Sequence, residues 1–429
     1  MKKKVLLIGN GGREHALAWK LCQSPRLEKL YIAPGNAGTA ELGENLPHIA
    51  ASNIKELVAF AKENVIDFVV VGPDDPLSLG VVDAFQAEGI SIFGPTQAAA
   101  RLEWSKSFAK DFMARHDIPT ARYGTFTDFE SAIAYVDEEN YPLVIKANGL
   151  ALGKGVIIVQ TKHEALTTLR EMMVDKIFGD AGNEVVIEEF LVGVEISIHA
   201  FSDGKTWRLF PSSQDHKRAH DDDKGLNTGG MGTISPLPFV SLELLEQIDR
   251  EIVTPTLTAM AEEGHPFAGI LYPGIIVTAD GPKVIEFNVR FGDPEAQSYM
   301  RLLETDLLDI FEACAGGTLE SIAIHWKHAS ACTVVIASAG YPGAYEKGQV
   351  ITDIDLAEKM ADVVVFHAGT KNINGELVVS GGRVLGVSAC APTLPEAIRK
   401  AYAGVDKVYF PGKQYRKDIG KKALVTELP

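Results

Sequence analysis

The stretch Lys283-Val284-Ile285-Glu286-Phe287-Asn288-Val289-Arg290-Phe291-Gly292-Asp293-Pro294-Glu295 alternates as a strand does. Ile285, Phe287 and Val289 fall on one face, and Glu286, Asn288 and Arg290 on the other. The apolar face suits a core. The polar face sets a carboxylate, an amide oxygen and a guanidinium within about 14 Å, at roughly 3.3 Å of rise per strand residue. Glu286 and Asn288 offer hard oxygen ligands of the kind that hold Mg²⁺ together with substrate phosphates. Arg290 offers a planar fork that matches phosphate or carboxylate. A half-exposed strand with ordinary polar residues outside has the same pattern, so the rest of the chain must decide.

At 429 residues the chain is too long for one typical core, and two to four domains are expected. Its 46% hydrophobic and 23% charged residues are those of an ordinary soluble globular protein. A formal net charge of −16 argues against sequence-independent binding to nucleic acid, which needs Lys and Arg to neutralise phosphates. Cys22, Cys314, Cys332 and Cys390 are far apart and form no CxxC pair, so they read as reduced, mostly buried thiols without a zinc site or disulfide framework. Met1 to Lys4 is basic, but the apolar run Val5 to Ile8 is too short for a signal peptide. No segment approaches the roughly 20 apolar residues of a membrane span. A cytoplasmic location is expected.

The pattern from Val5 to Phe93 alternates apolar runs with helical periods: strands at 5–8, 29–32, 68–71 and 92–93, and helices at 14–22, 54–63 and 81–88. Such alternation predicts a parallel, doubly wound sheet with ligands beyond the carboxyl ends of its strands. Those ends carry Gly9 to Arg13, Pro34 to Gly38, Gly72 to Asp75 and Gly94-Pro95. A helical segment from Ala98 to Arg115 follows, then short strands and helices around a glycine-rich loop. Beyond His325 the texture is β-rich, with a helix from Pro395 to Val405.

The glycine-rich loops differ in kind. Gly9-Asn10-Gly11-Gly12-Arg13-Glu14 sits where a dinucleotide fingerprint would, but Glu14 stands at its third glycine and no ribose-binding acid ends the second strand. The loop and helix N-terminus read instead as a phosphate site, with a purely structural tight turn as the alternative. Leu143-Val144-Ile145-Lys146 is a strand ending in lysine. A loop containing Gly149, Gly153, Lys154 and Gly155 follows, then the strand Val156 to Val159. This is strand–loop–strand and lacks the P-loop order, so it predicts a hairpin flap whose amides close over triphosphate oxygens. Val185 to Ile187 leads into Glu188-Glu189-Phe190-Leu191, a candidate hinge for an adenine edge, with Glu195 placed for ribose hydroxyls. A solvated strand end explains Glu188 or Glu189 equally well.

In chain order the pieces are strand-lysine, flap, EEFL, Gly193-Val194-Glu195, NTGGMG (Asn227 to Gly232) and EFNVRFGDPE. That order resembles the ATP-grasp superfamily. The last motif is similar to the signature of the glycinamide ribonucleotide synthetase family, and the similarity covers essentially the whole chain. It includes GNGGREHA (Gly9 to Ala16), Pro34 to Gly38, Gly72 to Leu77 and Ser212 to Lys217. The C-terminal region matches as well, and the resemblance implies the monofunctional form, without a further enzyme domain.

The resemblance implies α/β and α+β units: a doubly wound N-terminal domain (1–104), a connecting segment (105–122), a mobile ATP-grasp flap (123–190), the main ATP-grasp subdomain (191–325) and a small β-rich C-terminal domain (326–429). It implies an ATP-dependent ligase of de novo purine synthesis that joins glycine to 5-phosphoribosylamine through a glycyl phosphate. Glu286 and Asn288 would hold Mg²⁺ or Mn²⁺. Lys106, Lys146, Gly153, Lys154 and Gly155 would meet the ATP phosphates, Glu188, Glu189, Phe190 and Leu191 the adenine, and Glu195 the ribose. Arg290 and Asp293 would serve the transferring phosphoryl group or acyl phosphate, and Asp215 and Lys217 the charged ends of substrates. Asn10, Gly11, Gly12 and Arg13, with Pro34, Gly35, Asn36 and Gly38, would cradle the ribosyl phosphate. A monomer or weak homo-oligomer is expected, in transient contact with the upstream amidotransferase. A bicarbonate-using carboxylase would share the nucleotide site.

Overall fold

The computed structural model describes residues 2–149 and 155–428. At the N-terminus a five-stranded parallel sheet has Lys3–Gly9 at its centre, Leu27–Pro34 and Glu44–Asn45 on one side, and Phe68–Val71 and Ile92–Phe93 on the other. Val5 to Ile8 are fully buried because helices cover both faces, which is why they read as an unbroken apolar run. The helix Gly12–Leu21 follows the first strand and Ile54–Glu63 follows the second crossover.

The expected helix over 98–115 is two helices, Gln97–Trp104 and Lys106–Arg115. Ser105 adopts an extended backbone between them and its hydroxyl accepts from the Phe108 N–H, an N-cap that starts the second helix. Lys106 thereby becomes the first residue of a helix.

The flap is a four-stranded antiparallel sheet in the order Tyr123–Phe126, Val185–Glu189, Leu143–Ala147, Val156–Val159. Leu143 pairs with Val159 and Lys146 with Val156, the expected hairpin register. Ala132, Val136, Ile145, Val159, Leu169 and Ile187 form a core of its own, separate from the other clusters. Beside it, Ala268–Thr278 pairs with Val194–Ser197, Ala200–Asp203 and Gly281–Asn288, and Trp207–Leu209 extends the sheet.

The strand Gly281–Asn288 departs from simple alternation. Glu286 pairs with Gly274 and Val284 with Ile275, so Ile285 is an extra residue, a β-bulge. The bulge resets the phase. Val284, Phe287 and Val289 are buried in the core, whereas Ile285, expected there, turns to the open side with Glu286.

The C-terminal sheet has six strands, in the order Gln214–Asp215, Gly232–Ser235, Ser330–Ser338, Arg383–Ala391, Val363–His367, with Lys413–Gln414 on Ser330–Ser338. Leu394–Val405 packs on it through Leu394, Ala397, Ala401 and Val405. Two of the six strands come from the central region, so this sheet is not confined to residues after 326.

Candidate active site

The bulged strand brings its polar face to the flap. The Lys146 ammonium donates to the Ile285 carbonyl at 3.0 Å, at the bulge itself. Burial presses the Glu286 carboxyl upward, but Lys217, Lys146, Lys106 and Arg290 surround it and together hold it below its usual range. Asn288 Oδ1 accepts from Arg290 Nη2 at 2.9 Å. A charged carboxylate beside an amide oxygen, facing several cations, is a donor set suited to a hard divalent ion shared with phosphates. Among the described residues no group of three or more His, Cys, Asp or Glu is placed to hold a metal without such help.

Lys106 donates to the Gly149 carbonyl at 2.7 Å, which ties the new helix to the start of the flap loop. Glu188 is buried between two ammonium groups, Lys146 at 2.8 Å and Lys110 at 3.0 Å. Lys110 carries no motif and escaped sequence reasoning. Burial brings its ammonium down to about 8, against the pull of Glu188. The Glu188 side chain thus faces the lysines, and Glu189 pairs with Arg122 at 3.2 Å. What this leaves for an adenine edge is the backbone from Glu189 to Leu191, with the Phe190 ring exposed beside it. Gly155 closes the hairpin through its carbonyl, which accepts from Ala147 N–H at 2.8 Å. Gly153 and Lys154 lie outside the described residues.

At the N-terminal sheet three of the four expected loops meet, those at Gly9, Pro34 and Gly72. The Asn36 amide donates to the carbonyls of Asn10 (2.9 Å), Gly11 (3.3 Å) and His367 (2.8 Å), and its oxygen accepts from Gly38 and Thr39 N–H. Its side chain therefore ties the Pro34–Gly38 loop to the Gly9–Arg13 loop and to the C-terminal sheet. Glu14 explains the missing third glycine: its carboxylate accepts from Gly11 N–H at 2.5 Å and lies against Gly9 and Gly72, where a Cβ would collide with it. One carboxylate already sits at that helix N-terminus, paired with Arg13 at 2.5 Å. Arg13 also donates to the Phe291 carbonyl at 3.1 Å, reaching the RFGDPE turn.

That turn is held from the C-terminal domain. Arg383 donates to the carbonyls of Gly229 and Asp293, both at 2.5 Å, and pairs with the Asp293 carboxylate at 3.2 Å. Despite burial, Arg383 and then Arg13 keep the Asp293 carboxyl below its ordinary range. Arg383 was not found from sequence, since a lone arginine at a strand start carries no signal. Next to it a small cavity is lined by Glu195, Ser197, Asp215, Lys217, Tyr272 and Ile285, among others. Glu295 accepts from Tyr272 Oη at 2.7 Å and Ser197 Oγ at 3.1 Å. Burial, and Glu295 beside it, push the Asp215 carboxyl well above its usual range, and Asp215 Oδ1 is buried without a partner. Lys217 pairs with Glu195 at 3.2 Å, and that partner above all raises the pKa of its ammonium.

An antiparallel flap facing a bulged Glu/Asn strand, with lysines on both sides of the cleft, defines an ATP-grasp protein. The models of the phosphoribosylglycinamide synthetase N domain, ATP-grasp (A) domain and C domain match residues 3–103, 104–296 and 331–422. The chain belongs to the phosphoribosylglycinamide synthetase family. It is 50% identical to a phosphoribosylamine–glycine ligase of Pasteurella multocida, over 99% of both chains. A crystal structure of the phosphoribosylamine–glycine ligase of Thermotoga maritima superposes with a TM-score of 0.84 at 33% identity, covering 97% of this chain and 100% of that one. The biotin carboxylase domain of the Hydrogenobacter thermophilus 2-oxoglutarate carboxylase, with a TM-score of 0.75 at 17% identity over 97% of this chain and 92% of its own, shares the fold.

Proposed function

We propose that this chain joins glycine to 5-phosphoribosylamine, with ATP converted to ADP and phosphate, as a ligase of de novo purine synthesis. The observation that carries this is the convergence of Lys106, Lys146, Lys217 and Arg290 on Glu286, in a chain half identical to a phosphoribosylamine–glycine ligase along its whole length. A glycine carboxylate oxygen attacks the γ-phosphorus and ADP leaves, giving glycyl phosphate. The ribosylamine nitrogen then adds to that carbonyl, and the tetrahedral intermediate expels phosphate as the nitrogen loses its proton. Both steps need alignment and charge neutralisation more than a protein nucleophile.

The roles proposed for single residues draw their support from the position of each group around the cleft. Lys106 and Lys146 meet the ATP phosphates under a flap that closes from residues 123–190, and Glu188 fixes Lys146 for that task. The backbone of Glu189 to Leu191 reads the adenine, and Glu195 the ribose. Glu286 and Asn288 would hold Mg²⁺ or Mn²⁺, which when bound supplies charge neutralisation across the phosphates. Arg290 faces the transferring phosphoryl group. The partnerless oxygen of Asp215 suits the glycine ammonium, with Lys217 on the carboxylate side. The backbone of Asn10 to Gly12 and of the Pro34–Gly38 loop takes the ribosyl phosphate, held in place by Arg13, Glu14 and Asn36. Among the described residues no helix is long and apolar enough to cross a membrane, in keeping with a cytoplasmic enzyme acting on metabolites.

ADP formation with ATP, glycine, in situ generated phosphoribosylamine and Mg²⁺, each omitted in turn, tests the reading. ADP release should require glycine and the metal ion. Release supported by bicarbonate in place of glycine would move the chain to the carboxylases.

A further inference from the structure

Arg290 does not hold its own position. Glu103, in the last turn of Gln97–Trp104, grips it from the far side. One carboxylate oxygen lies 2.8 Å from Arg290 Nη2, and the other accepts the Val289 N–H at 2.8 Å. The same guanidinium donates to Asn288 Oδ1 and the Phe291 carbonyl. Glu103 therefore fixes both the fork and the strand end from which it projects. It does so across a domain border, as the last residue matched by the N-domain model.

We propose that Glu103 is a positioning residue for phosphoryl transfer: its two oxygens set the direction of Arg290 and the end of the bulged strand, and it acts on the reaction only through that arginine. The inference rests on the reading that Arg290 meets the transferring group. The surroundings favour a placed carboxylate over an incidental one. Its side chain is only 8% exposed, and burial, with Asp74 nearby, raises its carboxyl to about 7 even though Arg290 and Arg13 pull it down. Each of its oxygens has one partner, Arg290 on one side and the Val289 N–H on the other, so the carboxylate ties the guanidinium to the strand end it projects from.

The test is a double-mutant cycle with Glu103→Ala, Arg290→Ala and the pair, read as kcat and KM for ATP, beside Glu103→Gln and Glu103→Asp. Glu103→Ala should lower kcat on the order of tenfold or more with KM for ATP little changed, and the pair should be no slower than Arg290→Ala alone. Glu103→Asp should recover part of the rate, and Glu103→Gln less. A merely structural glutamate would lower the melting temperature at unchanged kcat, and that result overturns the proposal. So do losses that multiply in the pair, since Glu103 would then act by another route. If Arg290→Ala alone turns over normally, the reading of Arg290 fails first, and the cycle shows it separately from Glu103. Glu103→Asp keeps the charge, so a folded variant remains if the alanine form does not fold.

Discussion

Glu286 is ionised because of its company. Burial alone would drive a carboxylate toward its neutral form, and four cations reverse that. Replacing it by glutamine removes the charge while keeping the shape. Turnover should then fall by about two to three orders of magnitude, the scale of a lost charge contact in a phosphoryl-transfer site. The thermal midpoint should stay within a few degrees, and steady-state kinetics beside a melting curve checks both. Asp215 makes a different prediction. If its partnerless oxygen takes the glycine ammonium, Asp215→Ala, which removes the acceptor, should raise KM for glycine by roughly tenfold or more, the scale of a lost hydrogen bond to a charged group, and leave KM for ATP alone. An equal rise in both constants would sink that assignment. Residues such as Glu286, Lys146 and Arg290 were legible because a local pattern marks them. Lys110, Tyr272, Glu103 and Arg383 were not, because what gives each its importance is a partner far away in sequence. Asn36 was legible as part of a loop, but its inward bonds to Asn10, Gly11 and His367 were not.

Elements place these residues through two irregularities that periodicity misses. The bulge at Ile285 adds one residue and leaves Glu286 and Asn288 facing the flap while Val284 and Phe287 face the core. A period-two reading recovers the strand and its polar face but puts Ile285 on the wrong side, since no residue in KVIEFN marks a bulge. The break at Ser105 is the second. Helical periodicity runs through residues 98–115 without a glycine or proline, so the sequence reads as one helix. The serine cap splits it and gives Lys106 a helix N-terminus, from which it reaches Gly149. Ser105→Ala should lower stability by about 1 kcal/mol, the usual contribution of a lost N-cap. It should also raise KM for ATP, because Lys106 is the next residue. Urea unfolding and ATP titration measure the two, and a stability loss with unchanged KM would mean that the cap does not position the lysine. Regular elements were read closely, among them Ile54–Glu63, Phe68–Val71 and the hairpin register Leu143 to Val159, because apolar spacing alone defines them.

Across the whole molecule, the N-terminal and C-terminal units are locked together by buried neutral histidines. His15 Nδ1 accepts the His367 N–H at 2.7 Å, joining Gly12–Leu21 to Val363–His367. His216 Nε2 accepts the Gly420 N–H at 3.1 Å, joining the central region to the C-terminal tail. An imidazole nitrogen that accepts must be unprotonated. Burial lowers His15 to about 3 and His216 and His367 to about 4, and drives His199 well below 6.5. The unfolded chain titrates these groups near 6.5, so between about pH 4 and 6.5 it binds protons that the folded chain refuses. Their stabilisation is complete above 6.5 and is lost as pH falls toward 4. Glu103 and Asp215 work in the opposite sense, because their folded carboxyls stay protonated at pH values where the unfolded ones ionise. Four groups against two leave a net uptake approaching two protons on unfolding, a slope of at most about 2.7 kcal/mol per pH unit. Urea melts between pH 4.5 and 7.5 should therefore show stability rising to a maximum near pH 6.5 and then falling, as the histidine contribution ends while Glu103 and Asp215 still hold their protons. His216→Gln should flatten the slope by up to about 1.4 kcal/mol per pH unit, and Glu103→Gln should steepen it by a similar amount. A wild-type profile that is level from pH 5 to 7, or two variants that shift the slope in the same direction, would show that the docking of the outer domains does not depend on these neutral rings.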